Sequence, residues 1–233
     1  MRTNNYSIFK VRPYKMQTLS EENYLKIIYN LDKQGVKKVT PTAIAKALLN
    51  SPASVIDMLK KLADKKMITY EKMKGAKLTP NGKAAAVSVI RRHRLWEVFL
   101  LEKLAYEWDQ VHDIAEQLEH IRSPDLADRL DKFLGFPKYD PHGDPIPSAN
   151  GEIASITRLM LEEATIGKTY KVIGVKDSSP EFLQYLKKLE IGIGTKITIL
   201  EKISFDHSII IRIGKNIQAT VSKIFSQNLL ICE

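Results

Sequence analysis

The chain has 233 residues and 44% hydrophobic content, enough for two compact domains with real cores. No uncharged apolar run approaches the ~20 residues a membrane helix needs, which argues against a membrane partner. The single cysteine, Cys232, excludes an intramolecular disulfide framework and suits a reducing compartment.

The net charge of +9 is unevenly spread. Residues 1–92 carry 19 Lys/Arg against 6 Asp/Glu, residues 93–155 carry 6 against 13, and residues 156–233 carry 11 against 8. A basic segment joined to an acidic, histidine-bearing one implies a polyanion-binding module followed by a cation-binding module. Met1–Met16 is basic and lacks the apolar core of a signal peptide, so a cytoplasmic location is expected.

In chain order, Leu19-Ser20-Glu21-Glu22 predicts a helix start with Ser20 as cap and the acidic pair at the positive helix end. Leu25, Ile28, Tyr29 and Leu31 recur at helical spacing, and Gly35 ends the run. Thr40-Pro41 opens a second helix with Ile44, Ala45 and Leu48 inward. Ser51-Pro52 repeats the signal for a third, over 53–65, with Val55, Met58, Leu59 and Leu62 inward. Ser51, Ala53, Ser54, Asp57, Lys60 and Lys61 are left outside. A basic hairpin follows over 67–80, turning at Lys74-Gly75. Two short helices, a tight turn and a hairpin wing make a winged helix-turn-helix.

A long helix is predicted over 80–104, a second over 110–121 and a third over 124–133. The Pro-, Gly-, Asp- and Asn-rich stretch Gly135–Gly151 reads as loop and linker, with His142 facing solvent. Beyond it, Thr169–Val175, Lys196–Glu201, Ser208–Ile213 and Gln218–Val221 read as short strands interrupted by one helix over 180–189. A small β-barrel closes such strands. His207 also reads as solvent-facing, and Trp96 and Trp108 as packing residues.

The chemistry is concentrated at 93–120. His112, Glu116, Glu119 and His120 fall at i, i+4, i+7 and i+8, one face of a helix. His93 and Glu97 repeat the i, i+4 pairing upstream. Imidazoles and carboxylates gathered beside apolar neighbours are costly to leave uncompensated, and a divalent cation relieves that cost.

Four strings carry a resemblance: Glu22-Asn23-Tyr24-Leu25-Lys26-Ile27-Ile28-Tyr29, His93-Arg94-Leu95-Trp96-Glu97, Val111-His112-Asp113 and Glu116-Gln117-Leu118-Glu119-His120. With the Gly143-Asp144-Pro145-Ile146-Pro147 turn, they resemble the diphtheria toxin repressor family of metal-dependent transcriptional regulators, manganese transport regulators included. The resemblance implies a mainly α fold with a β tail. Its parts would be a winged helix-turn-helix DNA-binding domain (1–82), a helical metal-binding and dimerisation domain (83–150) and an SH3-like, FeoA-type β-barrel (151–233).

It also implies two metal sites. His93, Glu97 and His112 take the ligand positions of one; Glu116, Glu119 and His120 those of the other, with Asn23 contributed by the first helix. Glu181 and Gln184 have the spacing of the extra ligands that a tail domain can supply. Iron-type members resemble a pattern with sulfur at the Glu116 position and often Met at Asn23; oxygen donors here favour Mn²⁺ first and Fe²⁺ second. Lys26 stands where manganese-type members usually have a carboxylate, and it cannot ligate while charged.

The expected function is a metal-activated repressor that binds a pseudo-palindromic double-stranded DNA operator as a homodimer. Thr40, Ser51, Pro52, Ala53, Ser54 and Asp57 would lie against the DNA, with Lys60, Lys61, Lys72, Lys74 and Lys77 on phosphate. The competing readings are a purely structural metal and a metal-dependent hydrolase; no H-E-x-x-H string supports the latter.

Overall fold

The structure is a computed structural model and describes residues 17–153, 158–215 and 217–233; the basic Met1–Met16 stretch lies outside the described residues. The chain divides into two compact units, one ending at Val87 and one starting at Ser88. Among the described residues no helix is long and apolar enough to cross a membrane.

The first unit opens with α1 (Leu19–Lys33), capped by Thr18 rather than the expected Ser20. Thr18 and Glu21 stand at the spacing of a reciprocal capping box: the Glu21 amide donates to Thr18 Oγ1 at 3.3 Å and the Thr18 amide donates to Glu21 Oε2 at 3.1 Å. Helices α2 (Pro41–Ala47) and α3 (Pro52–Asp64) begin as predicted, with Thr40 and Ser51 accepting from the amides of Ala43 and Ser54. Strands β1 (Ile68–Glu71) and β2 (Gly75–Leu78) form the antiparallel wing, and Val39 adds a bridge to Ala76. Leu25, Ile28, Ile44, Val55, Leu59, Leu62 and Ile68 form the buried core under these elements. At about 1.5–3 kcal/mol per fully buried aliphatic side chain, this core holds α3 in place and leaves its polar face to solvent.

Helix α4 (Pro80–Leu104) follows the predicted limits. In the second unit its Leu95 and Val98 pack with Leu130 of α6 (Leu126–Phe133) and with Ile146, while Leu100 packs with Val111 and Ala115 of α5 (Val111–Leu118). Helix α6 starts two residues later than expected, with Asp125 at its N-cap position and the Asp125 carboxylate bound by Ser123 and Arg129 rather than by a backbone amide.

The tail is one antiparallel sheet in the order β3-β8-β4-β5-β6-β7. Its strands are β3 (Leu159–Met160), β4 (Thr169–Val175), β5 (Lys196–Lys202), β6 (Ile209–Ile213), β7 (Ile217–Val221) and β8 (Leu229–Cys232). Bulges in β4 and β5 bend the sheet, and Val172, Ile197, Ile199, Ile211, Leu229 and Ile231 line a core closed by Leu186 of α7 (Pro180–Lys188) and Phe225 of α8 (Lys223–Asn228). Sequence reading missed β3, α8 and β8; α8 runs into β8 without an intervening turn residue, so no punctuation separates them.

Candidate metal centre

The centre is built from α4, α5 and the loop after α6, all in the second unit. His93 and Glu97 lie one turn apart on α4, and both are buried. Glu97 Oε1 faces three imidazoles: His93 Nε2 at 3.0 Å, His112 Nδ1 at 3.3 Å and His142 Nδ1 at 3.5 Å. His93 Nε2 also lies 3.2 Å from His112 Nδ1, and its Nδ1 lies 2.6 Å from Glu119 Oε2.

Helix α5 is shorter than the expected 110–121. It ends at Leu118, and Glu119 and His120 occupy the closing turn. Arg92 donates to the Glu119 carbonyl, placing positive charge at the C-terminal end of α5. The turn swings the Glu119 carboxylate fully inward to His93, whereas Glu116 stays half exposed, 3.7 Å from His112 Nε2. His120 Nε2 rests 3.5 Å from Glu119 Oε1 and joins none of the three-donor groups among the described residues.

Three groups have donor atoms within 4.8 Å of one another: His93-Glu97-His112, His93-Glu116-Glu119 and Glu97-Asp140-His142. The first matches a set that the resemblance implied. The second replaces His120 by His93, because Glu119 turns towards α4. The third is one the sequence reading missed.

The loop carrying Asp140 and His142 is a packed part of this unit. His142 is 7% exposed, which corrects the solvent-facing expectation. Asp140 Oδ1 accepts from the amides of His142 and Asp144 at 2.9 and 2.8 Å, closing a tight turn. Arg94 then pins that turn to α4 through Asp140 Oδ2 (3.3 Å), Asp144 Oδ2 (3.1 Å) and the Pro145 carbonyl (2.6 Å). Gly143 has φ +83°, and a Cβ there would sit 1.7 Å from the Ile173 carbonyl oxygen, so the turn needs glycine. The legible signal was Asp140-Pro141-His142-Gly143, a histidine flanked by turn residues and downstream of the histidine–glutamate pairs His93-Glu97 and His112-Glu116.

Burial opposes ionisation of Glu97, yet hydrogen bonds from His112, His142 and His93 hold it well below the usual carboxylate range. Burial, aided by Glu97 and Asp144, pushes Asp140 up to about 7 despite Arg94 and His142. Burial would lower the His142 imidazole, but Glu97, Asp140 and Asp144 raise it above its ordinary value. The centre thus crowds buried carboxylates and imidazoles close to one another. All donors are nitrogen or oxygen, which fits Mn²⁺ or Fe²⁺ and lacks the sulfur of softer-metal sites.

The remaining predicted site residues lie elsewhere. Asn23 is on α1 in the first unit, with its Oδ1 buried and without a hydrogen-bond partner. Glu181 is in none of the donor groups among the described residues; Leu183 and Leu186 take the inward face of α7, Glu181 and Gln184 are both exposed, and Gln184 Nε2 donates to Asp109 Oδ2 at 3.1 Å. On α3, Ser51, Pro52, Ala53, Ser54, Asp57, Lys60 and Lys61 are all exposed, as are Lys72, Lys74 and Lys77 of the wing. Lys60 lies 3.5 Å from Asp57, Lys74 2.8 Å from Glu71 and Lys61 3.0 Å from Glu21. Thr40 caps α2.

Comparison with known proteins fits this geometry. Residues 16–76 match the family model for the iron dependent repressor N-terminal DNA binding domain, 79–148 that for its metal binding and dimerisation domain, and 159–231 the FeoA domain. The chain is 31% identical over 150 residues to the iron-dependent repressor IdeR of Mycobacterium leprae, covering 59% of this chain and 65% of that one, which is under two thirds of the relative's length. It is 37% identical over 126 residues to the HTH-type transcriptional regulator MntR of Oceanobacillus iheyensis, covering 54% of this chain and 84% of the relative. A manganese-dependent transcriptional repressor solved in complex with manganese superposes with a TM-score of 0.82 at 32% identity, covering 91% of this chain and 99% of that one. The chain belongs to the diphtheria toxin repressor family of metal-dependent transcriptional regulators.

Proposed function

We propose that this protein is a transcriptional repressor that binds a pseudo-palindromic operator as a homodimer when Mn²⁺, or secondarily Fe²⁺, occupies the histidine–carboxylate centre. The observation that carries the reading is the convergence of three imidazole nitrogens on the buried Glu97 Oε1. His93, Glu97, His112, Glu116, Glu119, Asp140 and His142 are the proposed ligands. His120 lies just outside the donor groups, and the roles of Asn23, Glu181 and Gln184 rest on the resemblance alone. A bound divalent cation would supply the positive charge that lets these carboxylates stay ionised together.

The exposed face of α3 is the proposed reader of the major groove, with Ala53 suited to a thymine methyl and Ser51, Ser54 and Asp57 to base edges. Lys60, Lys72, Lys74 and Lys77 supply phosphate contacts, which give affinity rather than sequence choice. Lys61 divides its charge between DNA and Glu21. We retain three functional parts with limits near 82 and 150, a cytoplasmic location, and regulation rather than hydrolysis as the role.

Metal can raise DNA affinity only through its differential affinity for the DNA-competent state. The test is operator binding by metal-stripped protein titrated with Mn²⁺, Fe²⁺ under anaerobic conditions, and Zn²⁺, alongside a melting curve. A repressor of this kind loses DNA but stays folded on chelation, and Mn²⁺ restores binding in the parent far better than in Glu116→Ala. Unfolding on chelation, with DNA binding indifferent to metal, would make the metal structural.

A further inference from the structure

We propose that Trp108 is a positioning residue for the metal centre, through which the core of the tail sets the orientation of the His142 ring. The inference rests on the manganese reading of the Glu97-Asp140-His142 group and concerns how one of its donors is held.

Trp108 sits between α4 and α5, four residues before His112. Its side chain packs against the tail's hydrophobic core. Its ring also stacks on His142, with centroids 6.0 Å apart and an interplanar angle of 20°. His142 turns Nδ1 towards Glu97, while its Nε2 is buried without a hydrogen-bond partner. A metal-binding histidine is ordinarily oriented by a hydrogen bond on its second ring nitrogen. His142 lacks that bond, so the stacked indole is what defines its ring plane.

The indole is itself held by packing. Its Nε1 is buried without a partner, so no hydrogen bond places the ring, whereas its chain neighbours are tied to α7. Lys187 Nζ lies 2.7 Å from Glu107 Oε2, and Gln184 donates to Asp109. The tail also grips the His142 backbone. The Val175 amide donates to the His142 carbonyl at 3.0 Å, and a Cβ on Gly174 would come within 2.5 Å of that oxygen. Strand β4 therefore fixes the backbone of His142, and the tail core fixes its ring through Trp108.

The experiment measures Mn²⁺ binding to the full chain by solution EPR of the free ion, comparing the parent with Trp108→Leu, Trp108→Phe and His142→Ala. Trp108→Leu should weaken the site that His142→Ala removes by about tenfold. Trp108→Phe, which keeps an aromatic face, should stay within about threefold of the parent. Parent-like binding by Trp108→Leu, or equal weakening by Leu and Phe, overturns the proposal. If Trp108→Leu does not fold, the surface substitution Lys187→Ala, which frees Glu107 beside Trp108, replaces it. It should weaken the same site by about threefold, the size expected of an exposed contact, and parent-like binding overturns the proposal. Weakening in His142→Ala with normal binding in Trp108→Leu removes this inference alone. Unchanged Mn²⁺ binding in His142→Ala removes the manganese reading of that group and this inference together.

Discussion

Buried carboxylates are handled in two different ways in the two units. In the first, Glu21 is fully buried, but it closes the cap of α1 and meets Lys65 and Lys61 at 2.7 and 3.0 Å. Its charge is matched by fixed cations, so it is complete as it stands. In the second, Glu97 is buried against the imidazoles of His93, His112 and His142, and Asp140 is buried beside the same group with Arg94 on its other oxygen. An acid beside lysines fastens a fold; acids beside neutral-capable histidines make a place for a cation. Burial is common to both, and the identity of the partner separates structure from function.

The largest test of that contrast is Glu97→Ala, which removes the oxygen shared by three histidines. Mn²⁺ affinity should fall by on the order of 100-fold in a competitive titration, with the fold retained; parent-like affinity would erase the distinction drawn above. Next is Glu21→Ala, expected to cost about 2 kcal/mol in denaturant melts through loss of the cap and the buried pair, while Mn²⁺ binding stays unchanged.

A pH titration sharpens the same point. Burial raises Glu21, but hydrogen bonds from Lys65, Lys61 and the Thr18 amide outweigh it and leave the carboxyl below its ordinary value of 4.5. Its contribution is therefore present above that value and is lost as pH falls through the lowered folded value. Acid melts of Glu21→Gln should show a shallower loss of stability over that window than the parent. The smallest expected effect is Lys60→Ala, which should lower the salt slope of operator binding by about 0.9 and leave the preferred sequence unchanged. A changed sequence preference would move Lys60 to the base-reading set.

Much of this was legible because local physics decided it. The proline-and-cap signals at Thr40-Pro41 and Ser51-Pro52, the length of α4 and the alternation in β4 and β6 depend on residues within a few positions of one another. Likewise, the i, i+4 pairs His93-Glu97 and His112-Glu116 announced metal chemistry, since a helix alone brings them onto one face.

What the sequence by itself determined, then, is the order of elements from α1 to α6, the basic reading head, and two of the three histidines that meet Glu97. Only the tertiary structure decided the rest. Ending α5 at Leu118 left Glu119 in the closing turn, with Oε2 2.6 Å from His93 and Oε1 3.5 Å from His120. Arg94 drew Asp140 and His142, more than forty residues away along the chain, against Glu97. The outward face of α7 put Gln184 on Asp109. Each of these outcomes joins residues far apart in sequence through packing and ion pairing, and periodicity carries information only about neighbours on one element.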